Sequence, residues 1–231
     1  MSLALVHSRA RCGVRAPEVR VEVFMAGGLP QVTIAGLAGT VARESRERIR
    51  AALQASQFEL PSKRVTVNLA PAELPKDGAR FDLPMAVGLL AAAGQVPLAA
   101  LRDVEFVGEL SLSGALRAVD GALPSALAAA AAGRTLVLPV DSAAEAAHAR
   151  GAVVLGASTL AQVVSHLRGE RLLSRTRADG AASPAEADTQ TPDLADIVGQ
   201  ALGRRALEIA AAGQHGLRLS GPPGCGKTLL A

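Results

Sequence analysis

Residues 221–228 read Gly-Pro-Pro-Gly-Cys-Gly-Lys-Thr, an ungapped fit to the pattern Gly-x-x-x-x-Gly-Lys-[Ser/Thr]. The pattern decides the fold class of the last part of the chain, because it works only as the turn between a strand and a helix. Gly221, Gly224 and Gly226 let the backbone take positive φ and bring N–H groups close to phosphate oxygens, with Pro222, Pro223 and Cys225 at the variable positions between them. The free N–H groups of the following helix face the same anion. Lys227 is placed to reach β- and γ-phosphates, and the Thr228 hydroxyl to ligate Mg²⁺. The expected ligand is a nucleoside triphosphate with Mg²⁺. Working outward, His215 to Ser220 alternates apolar and polar residues as a feeding strand should, and Leu229-Leu230-Ala231 begins an apolar helix. Hydrolysis needs a second acidic Mg²⁺ group and a group that orients water, and these lie downstream of such loops. The expectation for these 231 residues is weak nucleotide binding without turnover, and no catalytic residue is assigned.

Composition sets wide bounds. Hydrophobic residues make up 49% of the chain, enough for a substantial core and more than one domain. Aromatic residues are only 2%, with no Trp or Tyr, which argues against base-stacking platforms for single strands. A net charge of +3 is compatible with nucleic acid and does not by itself require it. Cys12 and Cys225 lie in different regions and form neither a disulfide framework nor a zinc site. His7, His148, His166 and His215 have no ligand spacing. The first residues, Met-Ser-Leu-Ala-Leu-Val, lack a basic segment and a long apolar run, so no secretory signal is read there. The apolar stretch Leu83 to Leu101 is interrupted by Pro84, Gly94, Gln95 and Pro97 and reads as a buried helix and a turn. The expected location is cytoplasmic, with no membrane partner.

Residues 1–168 read as one α/β domain. Strands are expected at Val19–Val23, Gln31–Ile34 and Arg64–Leu69, with a helix over Val41–Ser56 between the last two. The outer face of that helix carries Arg43, Glu44, Arg46, Glu47, Arg48 and Arg50, with i,i+4 spacing in Arg43/Glu47 and Glu44/Arg48; it is either a solvated, salt-bridged face or a phosphate-contacting one. A buried helix over Leu83–Ala93 is followed by a hairpin within Val104–Val119 that turns at Ser113-Gly114. Helices at Pro124–Ala132, Ala143–Ala149 and Leu160–Leu167 then alternate with strands at Thr135–Leu138 and Ala152–Leu155, which implies parallel pairing. From 169 to 192 the pattern dissolves into polar residues, Ala and Pro, a linker. A second unit, 193–231, opens with a helix over Gly199–Gly213 and is too short to bury a core independently.

Three blocks together carry a resemblance: Val41 to Leu53; Val65 to Leu90, with Val-Asn-Leu-Ala-Pro-Ala-Glu-Leu-Pro-Lys-Asp-Gly and Phe-Asp-Leu-Pro-Met-Ala; and Asp196 to Thr228, with Ile-Val-Gly-Gln and the phosphate loop. In these the chain resembles the N-terminal part of the magnesium-chelatase-like AAA+ ATPases of the ComM (YifB) type. The resemblance implies a first domain with a Lon-protease-like, ribosomal-S5-domain-2-like α/β fold, and then the start of an AAA+ ATPase domain. It implies ATP and Mg²⁺ as cofactors, a homo-hexamer, and an ATP-driven helicase that migrates branched DNA in recombination and natural transformation. Ile197 to Gln200 would lie beside the adenine, with Val198 touching the base. Two other readings differ in class: a non-enzymatic Lon-like module for DNA binding or ring assembly, and the motor subunit of a metal chelatase.

The Lon-like resemblance raises proteolysis, which needs a Ser nucleophile and a Lys base. The matching stretch is Lys76-Asp77-Gly78-Ala79-Arg80-Phe81-Asp82, with Arg80 where Ser should stand; at Gly121-Ala122-Leu123-Pro124, Pro124 replaces the Lys. The resemblance therefore implies the fold without the protease chemistry. Lys76, Asp77, Arg80 and Asp82 remain as a polar loop. It serves either as a contact to DNA phosphate or a neighbouring subunit, or as ordinary loop polarity with Asp82 capping the next helix. No motif reads base edges, so any DNA contact should run through the backbone and depend on salt.

Overall fold

The computed structural model describes residues 2–60, 62–76, 78–178 and 193–230. Strand β1 (Ser2–Arg9) and strand β2 (Glu18–Ala26) pair antiparallel in register from Ser2↔Met25 to Arg9↔Glu18. Their residues alternate with period two. Ala4, Val6, Val19, Val21, Val23 and Met25 are buried on one face, while Leu3, Leu5 and Phe24 stay exposed on the other. β3 (Gln31–Ala35), α1 (Gly39–Ala55) and β4 (Arg64–Ala70) form a crossover unit, with β3 parallel to β4 and β4 antiparallel to β2. α1 buries Ile49, Ala52 and Leu53, a stripe of helical spacing, toward the sheet.

α2 (Asp82–Ala92) is buried over its whole length, as an all-round apolar helix must be. It lies close to β2: a Cβ on Gly88 would stand 2.6 Å from Val23 Cγ2, so glycine is what permits the approach. After it come β5 (Val104–Phe106), the short hairpin β6 (Glu109–Leu110) and β7 (Leu116–Arg117), α3 (Ala122–Ala131), β8 (Thr135–Pro139), α4 (Val140–Ala147), β9 (Val154–Ala157) and α5 (Leu160–Leu167). The sheet order is β3-β4-β2-β1-β5-β8-β9, with β1–β5, β5–β8 and β8–β9 all parallel. Leu136 and Leu138 face Ala122, Ala126, Ala143 and Ala146 of α3 and α4, whereas Val137 joins the larger core with α1, α2 and α5. β8 thus reads as a continuous apolar run because both of its faces are covered.

The class is mixed α/β, as the sequence reading expected. Two details differ. The Val104–Val119 stretch splits: β5 joins the main sheet beside β1, and only β6 and β7 form the hairpin around Gly114, whose φ is +82°. β1, the strand at the middle of the order, was not anticipated, because Ser2–Arg9 mixes apolar with polar residues and its partner β5 is nearly a hundred residues away.

The chain divides into two compact units, Met1–Asp179 and Gly180–Ala231. The expected linker begins too early at 169. Thr176 N–H donates to Val154 O at 2.8 Å and Leu173 N–H to His166 Nδ1 at 3.1 Å, so this stretch is tied to β9 and α5. The rest of that linker, 179–192, lies outside the described residues. In the second unit, α6 (Ala201–Gly213) and the single turn α7 (Lys227–Leu230) are the described α-helices. The strand expected at His215–Ser220 does not form. A strand needs a neighbour to take its N–H and C=O groups, and no other strand is present among the described residues of this unit.

Candidate functional site

Two of the three loop glycines take the positive φ expected of them, and Gly221 does not. Gly224 and Gly226 have φ of +80° and +81°, a region that side chains strain to enter. A Cβ at Gly221 would come within 2.9 Å of Cys225 Sγ, so the loop closes on itself there. Lys227 Nζ donates to Gly221 O at 2.9 Å and Pro222 O at 2.8 Å, and lies 3.5 Å from Cys225 Sγ. The ammonium therefore arches back over the loop and makes no ion pair among the described residues. Among those same residues, the backbone N–H groups of Gly224, Cys225, Gly226, Lys227 and Thr228 have no acceptor. Unpaired N–H groups are costly to bury but cheap in water, and the loop is mostly exposed. Five consecutive donors, one ammonium and the exposed Thr228 form a set that fits a polyphosphate and its Mg²⁺.

The turn is held from behind by α6. Gln200, in the left-handed region with φ of +51°, donates through Nε2 to Cys225 O at 3.1 Å. A Cβ on Gly203 would meet Leu230 Cδ1 at 2.9 Å, so α6 and α7 touch at that glycine. Ile197 is buried and its carbonyl accepts from Arg204 Nη1 at 3.3 Å. Val198, the residue expected beside a base, is 96% exposed. Sequence reasoning did not assign Gln200 this role; its signal was only its place in Ile-Val-Gly-Gln.

The polar loop before α2 is the main correction. Lys76, Arg80 and Asp82 are buried rather than displayed on an open polar loop. Lys76 Nζ donates to the carbonyls of Pro71 and Leu74. Asp82 does not cap α2, whose N-cap is Phe81 without a side-chain bond. Its carboxylate instead takes Arg48 Nε at 2.7 Å and Nη2 at 3.3 Å. Burial raises the Asp82 carboxyl above its ordinary value, and the hydrogen bonds from Arg48 and Ser45 pull against it. Arg48 thus leaves the solvated face of α1 that the spacing assigned to it, keeping only a 3.8 Å contact to Glu44. Glu47 pairs with Arg46 at 3.2 Å rather than with Arg43. Asp77 lies outside the described residues.

Of the two positions aligned with a protease dyad, Arg80 touches the sequence neighbour of the other, Pro124. Arg80 Nη2 donates to Ser125 Oγ at 3.1 Å, next to Pro124. Neither a guanidinium nor a proline can serve as the nucleophile or the base. Among the described residues no cluster of His, Cys, Asp and Glu could hold a metal, and no helix is long and apolar enough to cross a membrane.

Residues 21–142 match the family described as subunit ChlI of Mg-chelatase. The chain belongs to this ChlI family. Residues 193–231 also match the family described as magnesium chelatase, subunit ChlI, which takes in the whole phosphate loop. The chain is 48% identical over 231 residues to the uncharacterized protein YifB of Salmonella typhimurium. It is 47% identical over 232 residues to the competence protein ComM of Haemophilus influenzae. Both alignments cover 100% of the chain but only 45% and 46% of these relatives, so the chain spans a little under half their length. These matches make it a ChlI/ComM-type AAA+ protein.

Proposed function

We propose that this chain supplies the ATP·Mg²⁺ site of a ComM-type motor. Gly221 to Thr228 surround the triphosphate with backbone N–H groups, Lys227 exchanges its contacts to Gly221 and Pro222 for phosphate oxygens, and Thr228 ligates Mg²⁺. The bound Mg²⁺ would neutralise charge on the phosphates. Val198, exposed just before α6, supplies apolar contact for the base. The observation that carries this reading is the run of five acceptor-free amides beneath an ammonium.

In the whole protein, nucleotide binding drives a homo-hexameric helicase that moves branched DNA during recombination and natural transformation in the cytoplasm. The family match and the likeness to ComM support that reading. Contact with DNA runs through the phosphate backbone and weakens steeply with salt. The division into a Lon-like domain that takes in 1–168 and the stretch tied to it through Thr176, a linker after that, and the opening of an AAA+ domain at 193–231 belongs to the same proposal. Titration of the chain with labelled ATP tests the site. Saturable, Mg²⁺-dependent binding that disappears in Lys227→Ala is expected, and equal binding by that variant would refute it.

A further inference from the structure

Of the two buried arginines, Arg9 has a carboxylate partner, Glu105, and Arg80 has none among the described residues. Arg80 is 7% exposed. Its Nη1 donates to Asp120 O at 3.3 Å and its Nη2 to Ser125 Oγ at 3.1 Å, while its Nε is buried without an acceptor. A guanidinium has five N–H donors, so most of this one remains unused. The two described carboxylates that share its recess are already engaged: Asp120 with Arg11 at 3.0 Å, and Glu109 with Arg117 at 3.3 Å. Among the described residues three arginines thus face two carboxylates, and Arg80 is the surplus cation.

This imbalance borders open space. Arg80, Arg11, Ala79 and Gly78 line a recess of about 410 Å³, together with Glu109 and Asp120. The Ala79 backbone N–H has no acceptor among the described residues. Burial, with the nearby charge of Arg11, lowers Arg80 to about 10, so it remains a cation at neutral pH in a setting that disfavours one. The Arg11–Asp120 pair is exposed on both sides and holds Arg11 only weakly. Arg11 is therefore free to turn toward a ligand, which gives two cations for one anion.

We infer that this recess is a phosphate-binding site, built from residues other than the 221–228 loop, in which Arg80 and Arg11 hold a single phosphate group. A doubly charged tetrahedral anion can accept from both arginines and from the Ala79 amide at once and balances both cations, whereas the single charge of a carboxylate balances only one. The phosphate belongs either to a small molecule, free phosphate or a mononucleotide, or to a nucleic-acid strand.

Equilibrium dialysis of labelled orthophosphate against the Lys227→Ala chain tests the site with the loop silenced. One saturable equivalent is expected. Arg11→Gln, at an exposed position, should weaken it about tenfold, the loss of one charge-assisted hydrogen bond. Arg80→Gln should abolish it, with circular dichroism to show that each variant is folded. Absence of saturable binding, or binding unchanged in folded Arg11→Gln, overturns the site. Displacement by acetate at lower concentration than by sulfate overturns the phosphate assignment. Displacement by a 5′-phosphorylated oligonucleotide but not by its 5′-hydroxyl form or AMP upholds the site with a strand end as its ligand; displacement by AMP alone upholds it with a mononucleotide.

Discussion

Leu53 and Leu202 are the same residue in helices of similar amphipathic pattern, yet Leu53 is 0% exposed and Leu202 is 86% exposed. The contrast holds for the two units at large. The first unit surrounds a seven-stranded sheet with helices on both faces of β8 and carries ion pairs deep inside. In the second, α6 buries no residue, and Ile197 and Leu230 are its buried apolar residues among those described. Packing is a non-local property that needs partners from distant sequence. A phosphate loop is local, and eight residues suffice to specify its turn. The second unit therefore presents a recognisable site on little core, and the first a well-built core whose polar interior carries no motif.

The sharpest way to break this comparison is to attack the first unit's interior charge. Glu105 is fully buried and receives Arg9 Nε at 2.6 Å, Arg9 Nη2 at 2.5 Å and Arg134 Nη1 at 3.0 Å. Glu105→Ala leaves these arginines facing each other and should cost about 3–5 kcal/mol, read as a large fall in melting temperature. A loss within that of an ordinary surface change would show that the network is not structural. Next in size is a paired test. Leu53→Ala should cost about 2–5 kcal/mol, while Leu202→Ala should stay within roughly 0.5 kcal/mol in the same denaturation experiment. Equal costs would erase the distinction between the units.

The smallest effect concerns acid stability. Burial acts to raise the Glu18 carboxyl, but the hydrogen bond from His7 and the charge of Arg134 outweigh it, so its net direction is down from 4.5. A carboxyl depressed in the folded state stabilises the fold above its unfolded value and loses that contribution as pH falls through the folded one. Stability should thus drop below about pH 4.5, and Glu18→Gln should flatten part of that limb by less than about 1 kcal/mol, since the side chain is partly exposed. An unchanged acid limb in the variant would assign the loss to other carboxylates.

What could be read from the sequence follows the same division between local and distant. α1, α5 and strands β2, β3 and β4 announce themselves by periodicity, because each turns a regular stripe inward, and α2 and β8 by their unbroken apolar runs. β1 does not: its buried Ser8 and Arg9 interrupt the apolar alternation, and Arg9 makes sense only beside Glu105. Asp82 looked like a helix cap because it precedes Pro84 at a helix start, but the guanidinium that claims it comes from Arg48, 34 residues earlier. The strand before the phosphate loop failed for the opposite reason: its alternation is present and its partner is not. At the site itself, the positive-φ turns at Gly224 and Gly226 were legible, while the one expected at Gly221 is not present. Gln200, which braces the loop through Cys225 O, was not legible, since nothing in its spacing links it to a turn 25 residues away.

The central claim is that the amides of Gly224 to Thr228 await the oxygens of a triphosphate. A ¹⁵N–¹H spectrum of the chain recorded with and without ATP and Mg²⁺ addresses those amides one by one. The account predicts that the resonances of Gly224, Gly226, Lys227 and Thr228 move together on titration and stay fixed in Lys227→Ala. Fixed resonances at these four positions at saturating ATP, with shifts appearing elsewhere, would contradict it.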